Sequence, residues 1–116
     1  MPEFFTPAEM ACHCGRDFCA AAPMAKSFMD RLNALRAEWG HPLIITSARR
    51  CPWWNQHVGG AKGSKHLEGR AVDIKMLPIE IPKFITLAEK YGFNGLGVGA
   101  TFIHIDDRSE PARWTY

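Results

Sequence analysis

Two short islands constrain this 116-residue chain most: Ser64-Lys65-His66-Leu67-Glu68-Gly69-Arg70-Ala71-Val72-Asp73-Ile74 and Phe102-Ile103-His104-Ile105-Asp106. The first offers His66 and then Asp73, with Gly69 between them to let the backbone turn, and the second adds His104. Two histidines and one aspartate form the ligand set of a catalytic metal site that keeps a position open for water. Meeting in space requires Asp73 and His104 on neighbouring strands, with His66 on the loop leading into the first of them. On a strand, His104 and Asp106 point to the same face. On pattern alone, a hydrogen-bonded structural histidine stands beside the metal-site reading.

The rest of the chain supplies elements around these islands. Thr6-Pro7-Ala8-Glu9 has the form of a capping box with proline at the first helical position, so a short helix to about Met10 is expected. Over residues 23–39, Phe28, Met29, Leu32, Leu35 and Trp39 recur at helical spacing, and Gly40 supplies the stop. Residues 42–47 read as a buried strand, and 51–64, rich in glycine and without periodicity, as a surface loop. A strand over 71–76, a helix over 81–91 ended by Gly92, and strands or a glycine-rich turn over 95–99 and 101–106 follow. The tail, 107–116, reads as polar, with Trp114 tucked back. This order predicts an α+β fold with a small antiparallel or mixed sheet flanked by helices.

Size and charge set limits. The chain has room for one domain with a modest core, read as an N-terminal cysteine-containing segment, 1–21, and a core, 22–116. A net charge of +2 with no clustering of Lys and Arg is far from a nucleic-acid signature, so no nucleic-acid partner is expected. No apolar run approaches the roughly 18–20 residues of a membrane span, and the N-terminus lacks the basic and hydrophobic regions of a signal peptide. A monomer made in the cytoplasm and acting after release is the expectation. Cys12, Cys14, Cys19 and Cys51 leave disulfides, a second zinc site and buried thiols open; C-x-C followed by C-x4-C is not the usual zinc-ribbon spacing.

Ser64-x-His66-x-x-Gly69-x-Ala71-x-Asp73-Ile74, with the His104 island, resembles the zinc D-Ala-D-Ala carboxypeptidase and murein endopeptidase family, peptidase family M15. Residues 45–55 (ITSARRCPWWN) resemble that family's SGYRCPxxN segment, and Val58-Gly59-Gly60-Ala61-Lys62-Gly63-Ser64 continues the match. The resemblance covers residues 32 to about 114, with Ala48 and Arg49 standing where glycine and tyrosine are usual. It implies a hedgehog/DD-peptidase-like fold, zinc held by His66, Asp73 and His104, and Arg50 and Ser64 on the peptide substrate. The physical case for Arg50 is a planar fork suited to carboxylates; its alternative is an ordinary salt bridge, as Ser64 could merely cap the turn before His66.

The implied activity is zinc-dependent hydrolysis of peptide bonds in bacterial peptidoglycan, D,D or L-Ala-D-Glu, in a phage or prophage lysis setting. The general base is less well defined. Relatives often carry an acid three residues before the last zinc histidine, where this chain has Thr101. Asp106 is the catalytic candidate, with orientation of a ligand histidine as its other reading, and Glu68 stands further out. Thr101 also motivates a rival: a wall-binding module that keeps zinc but has lost catalysis. A third reading, a metal or redox module centred on residues 12–19, would leave the histidines structural. Trp53 and Trp54 read either as rim residues for sugar rings or as packing, and His13, His41 and His57 as surface histidines.

Overall fold

A computed structural model describes residues 4–16, 19 and 23–116. Part of the expected cysteine loop, residues 17, 18 and 20–22, lies outside them. Four α-helices are described, α1 (Pro7–Met10), α2 (Lys26–Trp39), α3 (Pro52–His57) and α4 (Ile81–Lys90). The strands are β1 (Ile44–Ser47), β2 (Ala71–Lys75), β3 (Gly95–Val98), β4 (Phe102–Asp106) and β5 (Ala112–Thr115). They form one mixed sheet in the order β1-β2-β4-β3-β5, antiparallel throughout except for the parallel β3–β5 pair. The fold is α+β, as the order of elements predicts.

The period of two along each strand divides the sheet into two unlike faces. Val72, Ile74, Leu96, Ile103 and Ile105 are buried in one cluster with Phe28, Leu32 and Leu35 of α2 and Phe84 and Ala88 of α4. Removing each of these Val, Ile, Leu and Phe side chains from water stabilises the fold by about 1.5–3 kcal/mol. The other face carries the polar residues of both islands. Register sets a single row across it, because Ser47 pairs with Asp73, Asp73 with His104, His104 with Gly97, and Gly97 with Trp114. One row further along, Asp106 lies between Ala71 and Gly95.

Four sequence expectations need correction. The helix expected from residue 23 begins at Lys26, where the backbone N–H of Ala25 is engaged by the Gly69 carbonyl at 2.9 Å instead. The strand expected to be buried is an edge strand of four residues with Ile44 60% exposed, since β1 has a neighbour on one side only. Within the expected 51–64 loop lies α3, started by Pro52 in its first turn and by Cys51, whose Sγ accepts from the Trp54 N–H at 3.4 Å. The tail contains β5, which turns Trp114 back onto the sheet; Arg113 and Thr115 point out to solvent, giving the tail its polar look.

Candidate metal centre

His66 sits on a short 3-10 turn, Lys65–Glu68, that presents it to the polar sheet face. Ser64 starts the turn, its Oγ accepting the His66 N–H at 3.3 Å, and Gly69 ends it at φ 69°. That left-handed conformation favours glycine, and a Cβ there would come within 2.5 Å of the Arg49 guanidinium and 3.1 Å of the Met24 backbone. The turn therefore needs Gly69 twice over. His66 is 2% exposed and His104 5%.

Each ring is oriented through the nitrogen that faces away from Asp73. His66 Nδ1 lies 2.7 Å from the Ala48 carbonyl oxygen, which only accepts, so Nδ1 carries the proton. His104 Nε2 lies 2.7 Å from Asp106 Oδ2. Arg108 holds that carboxylate in its ionised form through Nε at 2.8 Å and Nη2 at 2.7 Å, so Nε2 donates to it. The remaining nitrogens, His66 Nε2 and His104 Nδ1, are then lone-pair ends, and they converge on Asp73 Oδ1 at 3.1 and 3.0 Å. Acceptors do not face each other at such distances without a cation between them, either a proton or a metal ion.

The electrostatics follow from this arrangement. Burial opposes ionisation of Asp73, but a proton shared with His104 or His66, and the positive charge it brings, outweigh it and hold the carboxyl well below the usual range. Burial likewise opposes charging of His104, and Asp106 and Asp73 overcome it and raise its pKa. Asp106, fully buried, is held low by Arg108 and His104 against the effect of burial. The pocket favours positive charge at the point where the three donor atoms meet.

These donor atoms suit zinc. They lie within 4.8 Å of one another and combine two imidazole nitrogens with one carboxylate oxygen. Tetrahedral zinc at about 2.0–2.2 Å from such ligands would space them about 3.3–3.6 Å apart, close to the nitrogen–oxygen separations seen.

The sequence-predicted site residues gather here. Arg50 reaches Asp73 Oδ2 through Nη2 at 3.3 Å, Ser47 Oγ through Nε at 3.2 Å and Asn55 Oδ1 through Nη1 at 3.2 Å. Its ion pair is thus with the candidate ligand rather than an ordinary surface bridge. Asn55 is in turn fixed by donating to the Ala61 carbonyl at 2.9 Å. Asp106 has both oxygens engaged by Arg108, and Glu68 pairs with Lys65 at 3.0 Å. Thr101 is exposed in the turn before β4.

Arg108, Trp114 and Tyr116 join the site without having been singled out for it from sequence. The Trp114 ring centroid lies 5.1 Å from that of His104, with the Arg108 guanidinium 4.9 Å above the indole. Tyr116 is largely exposed beside Trp114; partial burial of its hydroxyl, against a hydrogen bond from Trp114, raises its pKa. The alternation His104, Asp106, Arg108 was the available signal for Arg108. Gly97 was the signal for Trp114, since a Cβ there would lie 2.4 Å from the indole Nε1.

A family model described as Peptidase M15 matches residues 3–106. The chain belongs to the peptidase M15 family. M15 peptidases are zinc-dependent metallopeptidases, and the match spans the His66–Asp73–His104 cluster as well as the Arg50 segment. A peptide substrate follows from M15 membership. Comparison with curated proteins gives no match.

Proposed function

We propose that this M15 chain hydrolyses peptide bonds in the stem or cross-link peptides of bacterial peptidoglycan, with zinc held by His66 Nε2, Asp73 Oδ1 and His104 Nδ1. The supporting observation is the pair of oriented imidazoles whose lone-pair nitrogens converge on one aspartate oxygen. Bound there, zinc would supply Lewis acidity toward the scissile carbonyl and acidify a water toward neutral pH.

The chain's own groups do the positioning. Ala48 and Asp106 keep each imidazole in the tautomer that presents a lone pair inward. Arg50 turns Asp73 so that Oδ1 faces the histidines, and the one N–H left on each Nη, after the bonds to Ser47, Asn55 and Asp73, would serve a substrate carboxylate or carbonyl. Ser64 uses its oxygen lone pair on the His66 N–H, and its own O–H remains as a donor to the peptide. Trp114 walls the His104 side, with Tyr116 against its outer edge. Asp106 acts as a positioning residue, because both its oxygens are committed.

One observation favours the rival reading, a zinc-bearing wall-binding module without catalysis. Thr101 stands where relatives often have an acid, and Asp106 is sealed beneath His104. Mass spectrometry of muropeptides after incubation with purified walls separates the two. New peptide termini, lost on chelation and in His66→Ala, are expected and also name the bond. Cleavage that persists in metal-free protein sinks the mechanism, and wall binding with bound zinc but no product establishes the rival.

A further inference from the structure

Away from the cleft, a second group of donors is assembled. The sulfurs of Cys12, Cys14, Cys19 and Cys51 all lie within 4.8 Å of one another, and no disulfide joins them among the described residues. Cys12 and Cys14 follow α1 directly, whereas Cys51 arrives from 39 residues beyond Cys12, at the start of α3. Four thiolates at about 2.3 Å from a tetrahedral zinc ion lie about 3.8 Å apart, which fits this cluster.

The backbone around the sulfurs is arranged as it is around thiolates. The Cys51 N–H points at Cys12 Sγ at 3.3 Å, the Trp54 N–H at Cys51 Sγ at 3.4 Å, and the Arg16 N–H at Cys14 Sγ at 3.5 Å. A neutral thiol accepts weakly, while N–H groups aimed at sulfur are the outer contacts that stabilise a metal-bound thiolate. Gly15, at φ 69°, takes the left-handed conformation that turns the chain between Cys14 and Arg16. We propose that Cys12, Cys14, Cys19 and Cys51 form a closed, four-sulfur structural zinc site, separate from the His66–Asp73–His104 centre.

With four protein ligands the site has no open position and is not catalytic. Its role is to clamp the N-terminal segment onto the loop that carries Arg50, beside the contact between the Arg49 N–H and the Met10 carbonyl at 3.3 Å. Through Arg50 the clamp reaches Asp73. The Cys-x-Cys spacing conceals the site because its fourth sulfur is supplied from far along the chain.

Cobalt substitution and thiol titration of the full chain test this. Cobalt-loaded protein is expected to show intense near-ultraviolet thiolate-to-metal charge transfer, undiminished in His66→Ala and weakened in Cys51→Ser, which removes one of the four thiolates. Should Cys51→Ser fail to fold, the wild-type chain still decides. Its four cysteines are expected to resist a thiol reagent until a chelator is added, and then all to react, with zinc released in step. Thiols that react at once in the zinc-loaded native protein overturn the proposal. So do thiols that become titratable only after reduction, or a charge-transfer band that vanishes in His66→Ala. None of these results depends on whether the His66 centre cleaves peptides.

Discussion

The two donor clusters are built by opposite means. His104 and Asp73 are paired residues of adjacent strands, so hydrogen-bonded register holds them in place before any metal arrives. The cysteine sulfurs sit outside the sheet, three of them between α1 and α2 and the fourth at the start of α3. The sheet site is therefore preorganised, and a metal ion there would add chemistry to a structure that already exists. The sulfur site has the character of metal-dependent folding, in which metal binding contributes to folding free energy.

Zinc removal is the strongest way to break that comparison. Chelation is expected to drop peptide hydrolysis to background while amide protection in β2 and β4 persists. Residues around Cys12 to Cys19 should meanwhile become accessible to protease. Hydrogen exchange and limited proteolysis on the same sample read both halves. Equal loss of protection in β4 and in the N-terminal segment would remove the distinction.

Asp106→Ala comes next in size. Deleting the partner of a ligating histidine lowers metal affinity or activity about 10–100-fold, and here Arg108 would also lose both contacts to the carboxylate. Asp106→Asn sharpens the assignment. As a positioning residue, Asp106 can be replaced with a loss in zinc affinity while the acidic limb of the pH–rate profile survives. Disappearance of that limb with zinc binding intact would restore Asp106 as the proton acceptor.

Gly95→Ala probes the scaffold rather than the donors. A Cβ at Gly95 would lie 2.0 Å from Asp106 Oδ1, on a fully buried side chain that Arg108 and His104 already hold. Overpacking of this kind destabilises by about 1–3 kcal/mol, measurable by denaturant titration. Because the clash falls on Asp106, zinc affinity should fall as well. A stability loss with unchanged affinity would mean the sheet tolerates more play under the site than its register suggests.

Legibility in the sequence followed the same division. Strands β2 and β4 announced themselves because Val72, Ile74, Ile103 and Ile105 alternate with the polar residues of the site face. That alternation placed His104 and Asp106 on one face, and the β2–β4 register added Asp73 to it. The helix α3 stayed hidden because its six residues are too few to show a period. The strand β5 stayed hidden because its partner, β3, lies across an intervening strand and turn and its outward residues are polar. Arg50 was legible as a carboxylate binder, but its grip on Asp73 required the fold. The sulfur cluster was half legible, since local spacing describes Cys12 to Cys19 and says nothing of where Cys51 will arrive.

The smallest expected effect tests the N-terminal half of the comparison without touching a donor. Thr6 closes a capping box on α1, its Oγ accepting the Glu9 N–H at 3.2 Å while Glu9 Oε1 accepts the Thr6 N–H at 2.9 Å. Thr6→Ala removes half of that box, a change that costs about 1 kcal/mol in a folded helix. A four-residue helix has little stability of its own, so what α1 contributes depends on what anchors it. With the sulfur site loaded, Met10 and Cys12 are tied to the Arg49–Cys51 loop, and frayed α1 termini leave the global melting temperature nearly unchanged. With zinc stripped, the same substitution should raise protease sensitivity of residues 4–16 further. Identical Thr6→Ala effects in the loaded and stripped protein would show that Met10, through its apolar contact and its carbonyl, holds α1 without the sulfur site.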